Sequence, residues 1–141
     1  MKRKASAVWQ GGLKDGKGTV SSDSGVLAQT PYSFSTRFED AKGTNPEELI
    51  AAAHAACFSM ALSGQMGSAG LTVGEIRTTA TLTMDKLDAG WTVTAIHLEV
   101  GVKSPGAKPD AFAKAAENAK TGCPISRLLN AKITMDAKLE G

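Results

Sequence analysis

Four side chains in this sequence could act as nucleophile, base or soft metal ligand: Cys57, Cys123, His54 and His97. Only a thiolate, not a thiol, attacks, so the chemistry open to Cys57 depends on what lowers its pKa. Cys57 lies inside an apolar run. Burial there raises a thiol pKa, and the helix dipole acts mainly in the terminal turns. A cation is therefore required. His54, three residues earlier, is a neighbour on the same helix face. Arg37 precedes the run and could fold back over its start. Glu47 is nearly three helical turns from Cys57; it could clamp an arginine that reaches toward the thiol. Each has a plainer reading: His54 as a satisfied core histidine, Arg37 as a solvated residue on a polar strand face, Glu47 as a helix-start carboxylate.

Cys123 stands in Gly122-Cys123-Pro124. Proline suits the first helical position, which makes Cys123 the cap residue, where a helix N-terminus favours a thiolate. Local physics thus makes Cys123 the more acidic thiol. Two cysteines in a chain of this size are no disulfide scaffold. They are either small buried hydrophobes or a redox couple. Cys57, Cys123, His54 and His97 could in principle bind zinc, but no pair has finger or ribbon spacing. There is no GxxxxGK[ST] phosphate loop and no serine hydrolase elbow.

The element that must position Cys57 is a helix over residues 44–66. Asn45 can cap it, Pro46 suits its first position, and Glu48 completes the spacing of a capping box. After Glu48 the run is apolar or small on nearly every face, which predicts a helix buried all round. Leu49 to Leu62 is too short for a membrane span, and His54 interrupts it. Gly64, Gly67 and Gly70 end the helix.

Around it the pattern is one of strands. Residues 4–10, 19–20 and 26–27 are short candidates, and Tyr32 to Phe38 alternates as a strand. Residues 75–87 alternate with Ile76, Thr78, Ala80, Leu82 and Met84 on one face. A turn at Asp88-Ala89-Gly90 leads into a second long strand, 91–102, whose apolar phase shifts near Ala95-Ile96 as at a bulge. Helices follow at about 109–120 and 124–129, then a last strand around 133–139. The fold class is α+β, with antiparallel sheet around a long buried central helix.

At 141 residues the chain is read as one domain, 1–141. A net charge of +2, with no basic run interleaved with aromatics, gives no case for nucleic acid. Met1-Lys2-Arg3-Lys4 is not followed by an apolar stretch of signal-peptide length. These features place the protein in the cytoplasm with no membrane partner.

The order Thr36-Arg37-Phe38, Gly43-Thr44-Asn45-Pro46-Glu47-Glu48-Leu49, His54-Ala55-Ala56-Cys57-Phe58-Ser59-Met60-Ala61-Leu62 and Gly122-Cys123-Pro124-Ile125-Ser126 resembles the osmotically inducible protein C and organic hydroperoxide resistance (OsmC/Ohr) family. Gly25-Val26-Leu27 and Pro31-Tyr32, upstream of the arginine, favour the OsmC branch. The resemblance implies an intertwined homodimer with long helices at its centre and active sites at the subunit interface. It implies a cysteine-based peroxidase of stress defence that reduces organic hydroperoxides, and hydrogen peroxide less readily. Cys57 would be the peroxidatic thiolate and Cys123 the resolving thiol. Arg37 would hold the thiolate and polarise the peroxide, and Glu47 would orient Arg37 by a bidentate hydrogen bond. The apolar wall from Leu49 to Leu62, with Phe58 and Met60, would favour organic peroxides. An external dithiol, linked in the family to lipoylated protein or small dithiols, would reduce the disulfide. No metal, haem or flavin cofactor is implied. From the residues alone two alternatives stand beside this: a Cys-His thiol hydrolase using Cys57 and His54, and a non-catalytic domain that binds a small apolar ligand.

Overall fold

A computed structural model describes residues 1–140, which divide into one unit from Met1 to Leu49 and a second from Ile50 onward. In the first unit, β1 (Ala5–Gln10), β2 (Lys17–Ser22) and β3 (Thr30–Tyr32) form an antiparallel sheet in that order. Gly18 lies beneath the rings of Trp9 and Tyr32, where any Cβ would collide with both. Val26 and Leu27, expected in a strand, lie in the loop before β3.

The alternation from Tyr32 to Phe38 does not make a strand. Phe34–Phe38 form a short helix, α1. Ser33 Oγ accepts from the Thr36 N–H, and Thr36 Oγ1 accepts from the Ser33 N–H at 2.8 Å. This reciprocal cap uses threonine where Glu or Gln is the common choice. It satisfies the free first-turn amides and fixes a helical turn that alternation alone conceals. The turn brings Phe34 and Phe38 to 4.9 Å between ring centroids.

Helix α2 runs Pro46–Ser68. Its start is as expected: Asn45 Oδ1 accepts from the Glu48 N–H at 2.8 Å, and Pro46 takes the first position. Gly64 and Gly67 do not end it; the chain turns at Gly70, where φ is +74°. By length and composition α2 could cross a bilayer, so it exceeds the run from Leu49 to Leu62 that seemed too short. Nor is it buried all round. In the single chain it buries one stripe, His54, Phe58, Leu62 and Met66, spaced one helical turn apart. Ala52, Ala53, Ala56 and Met60 are exposed. The reason is that the layers packed against this helix cover a single side.

The second unit carries the larger sheet, ordered β4 (Glu75–Leu87), β5 (Gly90–Lys103) and β6 (Lys132–Glu140). β4 and β5 form the expected antiparallel hairpin. Thr83 faces Ala95 while Met84 faces Val93, so Thr94 is the extra residue of a bulge and accounts for the phase shift. β6 departs from the expectation of antiparallel sheet. It pairs with β5 in parallel, from Ala95↔Lys132 to Lys103↔Glu140. A parallel neighbour needs a crossover of at least a dozen residues. Helices α3 (Pro109–Gly122) and α4 (Pro124–Leu128) supply it. Ile96, Leu98, Val100 and Val102 of β5 then pack with the α2 stripe and with Phe112, Ala115, Ala116 and Ala119 of α3 in one core.

Candidate active site

In the second unit, Cys123 Sγ lies 2.8 Å from Cys57 Sγ, and both are free thiols. Sequence separation is 66 residues, so tertiary packing alone makes this pair. Cys57 rides on α2 directly before Phe58, which with Leu62 faces the core. Cys123 closes α3 and opens α4, its own N–H bonded to the Ala119 carbonyl. Their exposure differs. Cys123 is fully buried and Cys57 is half-buried. A small reagent from solvent therefore meets Cys57 first, with Cys123 directly behind it.

The cap position of Cys123 is confirmed, but its side chain makes no capping hydrogen bond. Its sulfur contacts Cys57 instead of the amides of α4. At Cys57, burial pushes the thiol pKa up, and the adjacent Cys123 thiol adds to that; the Ile125 backbone amide, at the start of α4, pulls it down. The need for a cation inferred from sequence thus holds within this unit.

His54 does not provide one. It is fully buried, burial lowers its pKa, and its Nε2 lies 2.7 Å from Ser126 Oγ. Among the described residues its Nδ1 has no hydrogen-bond partner. The imidazole is neutral and bonds the α4 serine, not Cys57, so a Cys57–His54 hydrolase pair is not formed. Ser126 and the Ile125 amide were not singled out from sequence. The available signal was spacing: Ser126 follows Cys123 by three residues, as Cys57 follows His54. Phe58 also departs from expectation, being fully buried in the core and not part of an access wall; Met60 is exposed.

In the first unit, Arg37 and Glu47 do meet. Arg37 Nε donates to Glu47 Oε1 at 2.8 Å, and an Nη donates to the same oxygen at 2.7 Å. The pair is two-pronged on the arginine side only, not the oxygen-to-oxygen fork expected of a bidentate bond. Oε2 is buried and has no hydrogen-bond partner among the described residues. The guanidinium also lies 5.2 Å from the Phe38 ring centroid, so α1 holds the cation from a second side. Among the described residues, no group of three or more His, Cys, Asp or Glu is gathered as for a metal. His97 sits on the sheet instead, with Thr134 and Asp136.

A family model described as OsmC-like protein matches residues 39–138. The chain belongs to the OsmC-like family. It is 55% identical to peroxiredoxin OsmC of Escherichia coli (strain K12) over 138 residues, 98% of this chain and 96% of that protein. Its identity to organic hydroperoxide resistance protein OhrB of Bacillus subtilis (strain 168) is 32% over 125 residues, 87% and 88% of the two chains. Among OsmC-like proteins it thus stands nearer the OsmC branch, as the motifs around Arg37 indicated. The fold agrees. A crystal structure of an organic hydroperoxide resistance protein from Elizabethkingia anophelis superposes with a TM-score of 0.73 at 26% identity, covering 99% of each chain.

Proposed function

We propose that this chain is a thiol-dependent peroxidase acting on organic hydroperoxides, with Cys57 as peroxidatic and Cys123 as resolving cysteine. The observation that carries the reading is the 2.8 Å approach of a buried thiol to a half-buried one. The names of its OsmC and OhrB relatives point the same way.

The Cys57 thiolate attacks the distal oxygen of the hydroperoxide. The O–O bond breaks, the alkoxide takes a proton and leaves as alcohol, and Cys57 becomes a sulfenic acid. Cys123 then attacks the Cys57 sulfur. Its thiol proton is lost, the S–O bond breaks, the oxygen leaves as water, and a disulfide remains. An external dithiol, such as a lipoylated protein, returns both thiols by exchange. Arg37 supplies the permanent positive charge that the Cys57 thiolate requires. Glu47 is a positioning residue that fixes the guanidinium. The exposed apolar side of α2 supports assembly as a homodimer with that helix at its centre. A buried His54 and a core-facing stripe support reading α2 as the core helix of a soluble, cytoplasmic protein. Nothing in this cycle requires a metal or organic cofactor, nucleic acid or a membrane.

Steady-state assays with cumene hydroperoxide and dithiothreitol test the roles. Cys57→Ser is expected to abolish turnover. Cys123→Ser is expected to consume one equivalent and stall as a sulfenic acid that a diketone reagent traps. Full turnover by Cys57→Ser would overturn the assignment.

A further inference from the structure

The two thiols are not the only contact between the helices that carry them. His54 precedes Cys57 by three residues on α2, and Ser126 follows Cys123 by three on α4. At this spacing each lies one turn from its cysteine on the same helix side. His54 Nε2 and Ser126 Oγ are 2.7 Å apart, and both residues are buried. The thiol pair and the His–Ser pair are thus two adjacent rungs between the same two helices.

Resting on the peroxidase reading above, we propose that the His54–Ser126 hydrogen bond is the positioning clamp that holds α4, and with it Cys123, in attack geometry on the oxidised Cys57. Three observations support a clamp over a packing accident. First, α4 has only five residues, far too few to hold a helix by propensity. Beyond Cys123 itself, Ile125 packs only at the edge of the core, and among the described residues the one side-chain hydrogen bond of α4 is that of Ser126 to His54. Second, the sulfurs are already within the ~3–3.5 Å that near-attack arrangements show, where small misplacements slow reaction steeply. Third, the imidazole is kept deep in an apolar core, and among the described residues its Nδ1 has no hydrogen-bond partner. A buried polar atom without a partner is a standing cost. An apolar residue would avoid it, and would lose the bond to Ser126. Orphaned N–H groups are rarer than orphaned acceptors. This assigns the proton to Nε2, which donates to Ser126 Oγ, and leaves the Nδ1 lone pair free.

The contact acts after the peroxide has reacted. When Cys57 carries the added oxygen, the thiol–thiol contact is lost as such, and the Ile125 amide faces an altered group. The His54–Ser126 rung is chemically unchanged through the cycle. It keeps Cys123 in place while the S–O bond breaks and the S–S bond forms. Ser126 and His54 touch neither peroxide nor reacting sulfur in this account, so both are positioning residues.

The test is single-turnover mixing of the reduced, full-length protein with one equivalent of cumene hydroperoxide, quenched in acid and weighed intact. Alcohol release reports the first step, and disulfide mass reports the second. Ser126→Ala removes one oxygen and keeps the Cβ. It is expected to slow disulfide formation by about ten-fold, which corresponds to about 1.4 kcal/mol in the barrier, and to change alcohol release by less than about two-fold on the same scale. Sulfenic acid should accumulate in proportion. His54→Gln keeps an amide nitrogen near the Nε2 position and should resolve faster than His54→Leu. A wild-type rate of disulfide formation in Ser126→Ala would overturn the clamp. So would equal slowing of both steps, which marks a general disturbance. Wild-type protein that forms no disulfide at all would overturn the peroxidase reading itself, and the clamp with it.

Discussion

Arg37 brings two nitrogens to a single oxygen of Glu47, and the second oxygen of that carboxylate is buried with no partner among the described residues. The arrangement fixes the direction of the guanidinium more than it satisfies the acid. Arg37 keeps 39% of its side-chain surface exposed, so solvent weakens the pair well below a buried one. Glu47→Gln removes the charge and retains the shape. About 1 kcal/mol of lost orientation, below the usual range for charge-assisted bonds because solvent reaches the pair, should slow hydroperoxide reduction about five-fold. Stopped-flow consumption of cumene hydroperoxide measures it. An unchanged rate would remove Glu47 from the positioning machinery.

Cys57 provides a pH test. Burial and the Cys123 thiol raise its pKa above 9.0, against the pull of the Ile125 amide. If Arg37 reverses this, alkylation of Cys57 should have its midpoint below 9.0 in the intact protein and above it in Arg37→Ala. Rates of iodoacetamide labelling across pH give both midpoints. Coincident curves would mean that another group activates the thiol.

His54 links acid to stability. Its folded pKa lies below 6.5, because burial disfavours the imidazolium. The unfolded chain therefore binds this proton first as pH falls. The stability His54 contributes is fully present above pH 6.5 and is lost as pH falls through the folded pKa. Thermal melting should drop more steeply below that point in the wild type than in His54→Gln. Parallel melting curves for the two proteins would contradict the assignment.

The exposed side of α2 yields a prediction about assembly. Met60 is 78% exposed on a helix that is apolar or small over most of its surface. Met60→Lys places a charge there and should shift sedimentation from dimer toward monomer, because an unpaired charge in an apolar interface is costly. Identical sedimentation of the two proteins would mean that this face is not the contact. By contrast, Leu62→Ala acts inside the core, where Leu62 is fully buried. It should cost about 2–5 kcal/mol in denaturant unfolding.

Much of this was legible in the sequence, for reasons that can be named. The start of α2, the hairpin of β4 and β5 with its bulge, and the buried face of α3 all follow from caps and periodicity. The family motifs, not periodicity, singled out Cys57, Cys123, Arg37 and Glu47; the structure brings Cys57 to Cys123 and Arg37 to Glu47. The parallel pairing of β6 was misread because period-two alternation is the same in parallel and antiparallel strands. The discriminating sign was the helical crossover in between, and it was present at 109–129. The strand expected at Tyr32–Phe38 failed because one side-chain cap outweighed a short alternation. The full burial of α2 failed because composition describes every face of a helix, whereas one chain covers only some of them. The His54–Ser126 bond joins residues 72 positions apart, and its one sign in the sequence was the matching three-residue spacing of each from its cysteine.

The central claim is that the neighbouring thiols form a peroxide-driven disulfide. The direct measurement adds one equivalent of cumene hydroperoxide to reduced wild-type protein, counts free thiols and weighs the intact chain. Loss of both thiols with a mass lower by about two hydrogens, as one intramolecular disulfide requires, is the predicted result. Two thiols untouched beside unconsumed peroxide would contradict the account and return Cys57 and Cys123 to the packing of the core.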